Sequence, residues 1–542
     1  MSNLSTLTYT GTVYEAFVEI AAQYRSAACI VVPPRSSRDY HPAGFEASYD
    51  EVLTAAQGLR STYAESGYGH GHRVLLLLEN RPEFIFHWLA LNGLGVSVVP
   101  VNPDYVKDDL AYLISHSEPD LIVSLPGRVE SLRLVANEFG KCAVVSSECL
   151  NELMPPARQK LAAVPGLRTE GAILYTSGTT GLPKACRLCN DYFFSAGERY
   201  LAAGGSLRIE PGCERLYNPL PLFYANGFAI SNMAMILSGG CMIIPDRFHP
   251  GSFWADLVAT RATIIHYLGL IPPVLLGMPS SDLERAHRVK FGCGAGIDPS
   301  QHKIFEERFG FPMVEVWGMS EVAIGSAEKD EPRRLEGRSI GRPLATMEFQ
   351  VVDEHERPLP DGEPGELVLR REGTDPRAGF FSGYFKDEIE TARCWRGGWF
   401  HTGDIVKREV DGRFTFVDRK KHMIRRSGQN IAAAEVEQVL LLHPLVDQAG
   451  VVPATDPLRE EEVFACVVLK PGEPRDGATA EALVRFCLER IAYFKVPGWV
   501  SFTDSLPRTS TEKLRKSNIL PPDRNPANVV GCHDLRHLKK RR

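Results

Sequence analysis

Tyr175-Thr-Ser-Gly-Thr-Thr-Gly-Leu-Pro-Lys184 is the stretch on which the reading of this chain turns. The apolar residues 172–175 lead into it as a buried strand would. The two glycines that follow let the backbone turn sharply and bring its N–H groups close to an anion, Gly178 at the first turn. The hydroxyls of Thr176, Ser177, Thr179 and Thr180 can donate to phosphate oxygens, and Lys184 adds a positive charge. The G-x-x-x-x-G-K-[ST] spacing is absent, so the segment is a phosphate loop of a kind other than Walker A.

Outward from the loop, short apolar runs alternate with helical patterns from about residue 45 to 320. Residues 73–78, 121–123, 143–146, 263–266 and 313–316 read as strands, with a helix starting near Pro82. Continuous apolar runs are what parallel strands buried on both faces require, so the architecture is α/β. Residues 84–101 and 228–245 are apolar enough to suggest membrane spans. Each is broken by glycines and reads instead as a helix, a stop and a buried strand. Past residue 335 the segments 348–353, 366–370, 405–409 and 413–417 are short and turn-separated, with Asp411-Gly412 marking a hairpin. They predict a small antiparallel β unit. A new α+β pattern follows Arg419: helix 432–442, strands 448–452 and 464–469, helix 480–491. The expected division is 1–419, then 420–520 with the boundary at Lys420–Lys421, then a loose basic tail at 521–542.

Composition sets the limits. The chain has 542 residues, of which 44% are hydrophobic and 24% charged, enough for several cores and too apolar for disorder. With 61 basic and 67 acidic side chains the net charge is −6, which gives no footprint for nucleic acid. Twelve cysteines are too dilute for a disulfide framework. Cys186 and Cys189 have no second pair at zinc spacing. No basic stretch followed by an apolar run opens the chain, and a cytoplasmic location is expected.

The loop's ten positions resemble the signature of the adenylate-forming superfamily of acyl-CoA synthetases, luciferases and peptide-synthetase adenylation domains. The likeness continues in order along almost the whole chain. It runs through Leu220-Pro-Leu-Phe-Tyr-Ala-Asn-Gly227, Gly294-Ala295-Gly296, Val316-Trp-Gly-Met-Ser-Glu321 and Trp399-Phe-His-Thr-Gly-Asp404. Asp418-Arg419, Gly428-Gln-Asn, Tyr493-Phe-Lys-Val-Pro497 and Leu506-Pro-Arg-Thr-Ser-Thr-Glu-Lys513 complete the series. The segment around Phe416 is most similar to carnitine/crotonobetaine-type and fatty acyl-CoA ligases.

The resemblance implies a large N-terminal domain of two α/β subdomains plus a small antiparallel β subdomain, followed by a small mobile α+β C-terminal domain. It implies two steps: a carboxylate attacks ATP to form an acyl-adenylate, and the thiol of coenzyme A then displaces AMP. Lys513 would bridge carboxylate and α-phosphate. Glu321 would hold Mg²⁺, Ser320 would touch phosphate, and Trp317, followed by Gly318, would stack on adenine. Gly294 and Ala295 would contact the nucleotide, Glu315 would accept from the adenine amino group, and Asp404 and Arg419 would hold the ribose. Phe223, Tyr224, Phe228, Cys293 and Val322 would line the acyl pocket, Lys421 would be the hinge, and Gly428 would face the pantetheine arm. Besides ATP, Mg²⁺ and CoA, the implied partners are a small carboxylic acid and, in one variant of the reaction, a separate carrier protein. The chain departs from the family pattern at Ala185, Asn190, Tyr224, Trp317 and Glu512. Glu512, beside the expected catalytic lysine, keeps an alternative open: a member that performs only part of the sequence, such as adenylation alone, carrier loading or thioesterification of a preformed adenylate. The acid and the oligomeric state are not legible.

Overall fold

The apolar runs form strands whose side chains are buried on both faces, as in the consecutive pairs Leu75 and Leu76, and Val98 and Val99. The computed structural model describes residues 9–139, 142–176, 183–426, 429–457, 459–508, 514–521 and 523–539. These fall into two compact units, one of residues 9–176, 183–349 and 369–400, the other of 350–368 and 401–539.

The first unit contains two sheets. In one, the strands run in the order Gly383–Tyr384, Lys184–Cys189, Glu170–Thr176, Ser97–Pro100, Arg73–Leu77, Leu121–Ser124 and Ala143–Ser146. Pairing is parallel except around Lys184–Cys189, which is antiparallel to both neighbours. The other sheet has a parallel centre of Ala28–Val32, Cys241–Ile243, Arg215–Tyr217, Ile264–Leu268, Phe291–Ala295 and Met313–Met319. Antiparallel strands flank it, Phe45–Ser48 on one side and Ala323–Ala327 with Ser339–Pro343 on the other.

Both glycine-broken apolar stretches resolve as helix, stop and strand. Helix Pro82–Asn92 starts with proline at its first turn, where the missing N–H costs nothing, and strand Ser97–Pro100 follows. Helix Asn232–Ser238 ends at Gly239, whose φ of +66 supplies the left-handed cap before strand Cys241–Ile243. Among the described residues no helix is long and apolar enough to cross a membrane.

The second unit joins two pieces of β structure. Residues 364–368, 401–408 and 414–419 form neighbouring strands, and the expected hairpin closes at Asp411-Gly412, where the Gly412 N–H donates to the Glu409 carbonyl at 2.8 Å. The remaining sheet runs Gln429–Ala432, Met423–Arg426, Glu460–Leu469, Trp499–Phe502 and His533–Asp534, with Val446–Asp456 also paired to Glu460–Leu469. Helices Ala433–Leu441 and Gly477–Leu488 supply Val436, Leu440, Leu483 and Val484 to its core. Residues 350–368 and 401–419, counted with the N-terminal domain in the sequence reading, group here with the C-terminal residues. One reason is visible at Asp418, whose carboxylate accepts from the Ala434 N–H at the start of the following helix, at 2.9 Å.

The tail is a correction. Residues 523–539 are not loose. His533–Asp534 pairs with Trp499–Phe502, Leu535 enters the core, and the Lys539 ammonium lies 2.5 Å from a Glu462 carboxylate oxygen with both side chains fully buried. Arg426 holds the other oxygen of Glu462 at 2.8 Å, and Arg536 reaches buried Asp456 at 3.0 Å. The basic residues that suggested a solvated tail are the partners of carboxylates that could not stay ionised and buried alone.

Candidate functional site

Strand Glu170–Thr176 and strand Lys184–Cys189 are the two arms of the phosphate loop, with Thr176 and Lys184 in register. The Thr176 hydroxyl donates to the Lys184 carbonyl at 3.3 Å, and Tyr175 meets His116 Nδ1 at 2.8 Å. Ser177, Gly178, Thr179 and Thr180 lie outside the described residues. The Lys184 ammonium is 2.6 Å from Glu390 and stands 5.0 Å from the centre of the Tyr384 ring.

The hydroxyl of Tyr384 donates in turn to Glu321 Oε1 at 2.7 Å. Glu321 lies in the turn between strands Met313–Met319 and Ala323–Ala327, next to half-buried Ser320. Gly318 fits that turn because a β-carbon there would sit 2.0 Å from the Ala323 carbonyl oxygen. Burial and the Glu321 carboxylate push the Tyr384 phenol far above its ordinary range, and the thiol of Cys186 is raised well above its own for the same two reasons. Two motifs more than a hundred residues apart thus meet through Tyr384, a residue that sequence reasoning passed over. Arg199 ties the surroundings together, donating to the carbonyls of Val322 at 2.7 Å and Gly379 at 3.2 Å.

Glu321 has the chemistry of a magnesium ligand: a hard carboxylate that accepts from the Tyr384 phenol and the Cys186 thiol, with acceptor capacity to spare. Among the described residues no group of three or more His, Cys, Asp or Glu is arranged for a metal ion. A hard cation at Glu321 would therefore complete its shell from nucleotide phosphates and water, as Mg²⁺ commonly does.

Gly294 and Ala295 end strand Phe291–Ala295 beside the half-buried carboxylate of Glu315. Glu315 accepts from Tyr267 O–H at 2.6 Å and from the N–H groups of Gly296 and Ile297 at 2.9 and 3.1 Å. Burial raises its pKa despite those bonds. Its first task is to hold the turn after Ala295, and an adenine amino group would be a fourth donor. Trp317 is 6% exposed, edge-on to Phe349 at 5.8 Å and packed over Gly325, so most of its indole is enclosed.

On the expected acyl side, Phe223 and Tyr224 are half-buried neighbours with ring centres 4.7 Å apart. Phe228 instead sits in an aromatic core with Phe84, Trp88 and Phe193, at 5.4, 4.8 and 5.2 Å. Cys293 and Val322 are buried. Behind them lies a polar group that the sequence reading did not single out: His266, buried and held down to about 3 by burial, with Tyr200 O–H at 3.0 Å from Nε2 and Ser231 and Asn226 at 2.8 and 2.9 Å from Nδ1.

In the second unit Asp404 and Arg419 are register partners across an antiparallel pair, carboxylate to guanidinium at 2.8 Å. Their spacing of fifteen positions in sequence is the length of one hairpin. Glu366, another residue missed, anchors this turn. It accepts from the Gly403 N–H at 3.3 Å and binds His401 at 3.4 Å and Lys420 at 2.8 Å. Burial alone would raise its pKa, but the hydrogen bonds from His401 and Lys420 and the Lys420 charge outweigh burial and hold it at about 2. Lys421 begins no new element. It sits in the short turn Lys420–His422. Gly428 and Lys513 lie outside the described residues.

A family model for AMP-binding enzymes matches residues 17–385, and one for the AMP-binding enzyme C-terminal domain matches residues 435–513. A sulfoacetate–CoA ligase from Cupriavidus necator is 30% identical over 490 residues, covering 88% of this chain and 93% of its own. A crotonobetaine/carnitine–CoA ligase from Shigella dysenteriae is 29% identical over 490 residues, covering 87% and 92%. Among solved structures, ATP-bound MatB from Rhodopseudomonas palustris superposes with a TM-score of 0.80 at 24% identity, covering 93% of this chain and 97% of that one. The O-succinylbenzoate coenzyme A synthetase of Bacillus subtilis in complex with AMP gives 0.78 at 22% identity, covering 94% and 98%.

Proposed function

The chain belongs to the family of AMP-binding enzymes, and on that footing we propose that it is an acid–thiol ligase. It joins a carboxylic acid to ATP as an acyl-adenylate with release of pyrophosphate, then passes the acyl group to the thiol of coenzyme A with release of AMP. The observation that carries this reading is the meeting of Lys184 and Glu321 on the two sides of Tyr384. One group is suited to phosphate oxygens and the other to the cation that accompanies them.

The first step brings a carboxylate anion to a polyanion, and in a water-poor site that approach is forbidding without nearby positive charge. Catalysis is then largely positioning and charge stabilisation. Lys184 and the hydroxyls of Thr176, Ser177, Thr179 and Thr180 hold the phosphates, aided by Ser320. Bound at Glu321, Mg²⁺ supplies positive charge to those phosphates. Gly294, Ala295, Glu315 and Trp317 border the adenine. Asp404 offers two acceptor oxygens to a pair of ribose hydroxyls, and Arg419, already on that carboxylate, orients it. Lys513 donates to both the carboxylate and the α-phosphate. Lys421 is the hinge about which residues 420–520 turn between the two steps, and Gly428 leaves room for the thiol path. Phe223 and Tyr224 wall the acyl pocket, with Cys293 and Val322 behind them.

Incorporation of labelled pyrophosphate into ATP in the presence of a panel of acids tests the first step, and thioester formation on adding CoA tests the second. Glu512 favours one further reading, in which only a partial reaction runs. Exchange without any thioester would select it.

A further inference from the structure

The helix before Gly239 opens with a π-helical stretch, Asn226–Ser231, a local irregularity that recurs at functional sites. It seats Asn226 at the end of a buried chain of hydrogen bonds. The thiol of Cys293 touches the Tyr200 phenol, Tyr200 reaches His266 Nε2 at 3.0 Å, and His266 Nδ1 reaches Asn226 Oδ1 at 2.9 Å. The Ser231 hydroxyl donates to the Asn226 carbonyl at 2.9 Å and accepts from Asn218 Nδ2 at 3.2 Å.

The chain has a direction. Burial keeps His266 neutral, so it carries one ring N–H. The Ser231 hydroxyl, 2.8 Å from Nδ1, already gives its hydrogen to the Asn226 carbonyl, and Asn226 Oδ1 can only accept; that places the ring hydrogen on Nδ1 and leaves Nε2 to accept from the Tyr200 O–H. Reversing the order would point the Tyr200 hydroxyl at the Cys293 sulfur, a weak acceptor. Turning the Asn226 amide over would bring two donors face to face. The amide orientation is thereby locked, with its N–H₂ directed away from the network. Among the described residues Nδ2 has no hydrogen-bond partner, and Asn226 is the one member of the network that is not fully buried.

Asn226 stands two residues after Tyr224, on the segment read above as the acyl wall. Granted the ligase reading, we infer that the acid this chain activates carries a hydrogen-bond acceptor oxygen on its acyl portion, and that Asn226 Nδ2 donates to it. The donor cannot become an acceptor, so an acid with only methylenes at that point leaves an N–H unpaired on binding. A site built around a hydrogen bond discriminates against such analogues far more strongly than an apolar pocket sorts by size.

The test uses the purified full chain and pyrophosphate exchange with pairs of acids that differ by oxygen for methylene. The pairs are methoxyacetate against butanoate, 3-methoxypropanoate against pentanoate, and 2-methoxybenzoate against 2-ethylbenzoate. Ether oxygens accept and never donate, so each pair isolates the proposed bond. At least one ether acid should exceed its partner about 10-fold in kcat/KM. Asn226→Asp keeps Oδ1 for His266 and converts the donor to an acceptor at equal volume. It should erase that preference while leaving the melting temperature close to that of the parent. Equal kcat/KM within every pair, or an ether preference that survives in Asn226→Asp, overturns the inference. The wild-type pairs decide this even if the variant folds badly. Lack of exchange with every acid, together with lack of ATP-dependent thioester, overturns the ligase reading itself and this inference with it.

Discussion

Tyr384→Phe removes one oxygen from the proposed phosphate and metal region and little else. The ring stays, and with it the edge contact to Phe381 at 4.8 Å and the Lys184 ammonium above its face. What goes is the 2.7 Å hydrogen bond to Glu321 Oε1, between side chains 7% and 6% exposed. A hydrogen bond to a charged group is worth about 1.5–3 kcal/mol net. At about 1.4 kcal/mol per factor of ten this is roughly 12- to 140-fold in whatever equilibrium needs Glu321 held in place. If that equilibrium is cation binding, the Mg²⁺ concentration giving half-maximal pyrophosphate exchange should rise by that factor, and saturating Mg²⁺ should restore most of kcat. The first unit should also lose about 1.5–3 kcal/mol of stability, read from the urea midpoint. A variant with the lowered midpoint and an unchanged Mg²⁺ requirement would refute the reasoning. It would show that Tyr384 braces the fold and that Glu321 is not the cation's ligand.

Lys513→Ala should spare ATP binding but suppress pyrophosphate exchange by at least about 10²-fold, the scale for removing one preorganised charge donor. Thioester formation from a synthetic acyl-adenylate should persist, and equal loss of both steps counts against the assignment. Asp404→Asn leaves one acceptor where two are needed and weakens the pair with Arg419, so the apparent KM for ATP should rise with kcat changed less. An unaltered ATP dependence would place the ribose elsewhere. Acid should destabilise the first unit through His266. Its pKa is held down to about 3, so below about pH 6.5 the unfolded chain takes up a proton that the native site refuses. The stability is present above that pH and is lost as pH falls, by about 3 kcal/mol at pH 4.5 for this one group. His266→Gln should flatten the difference between urea midpoints at pH 7 and pH 4.5, and an identical drop in both proteins would show that other groups dominate.

What could be read from residue order was local. A buried strand announces itself as an apolar run, and Arg73–Leu77 and Leu121–Ser124 stand close to where the pattern puts them. Strand direction does not announce itself. The segment after the phosphate loop, with Lys184 and Arg187 in it, is not an apolar run, yet Lys184–Cys189 is a strand and turns back antiparallel. The Asp404–Arg419 pair was within reach because a single hairpin separates the two. Tyr384, Glu366 and His266 were not, since each acts by meeting a side chain brought from a distant strand, and nothing in its own neighbours marks the meeting. The tail failed for a related reason. Asp456 and Glu462 look like ordinary surface acids until the strand that buries them is in place, and only then do Arg536 and Lys539 have somewhere to go.

That late closure bears on how the chain is made. Ile424 and Leu535 share one core, but about 110 residues are added between them, which at ~5–20 residues per second takes roughly 6–20 s. For the last ~30 of those residues, roughly 1.5–6 s, the strand edge at Trp499–Phe502 lacks its neighbour, and the pocket that receives Leu535 and Lys539 stays open to water and to other nascent chains. Closure of this sheet edge waits on the emergence of His533–Asp534 from the ribosome. A slow or stalled stretch of translation in this region would prolong exposure of an apolar edge rather than merely delay the product.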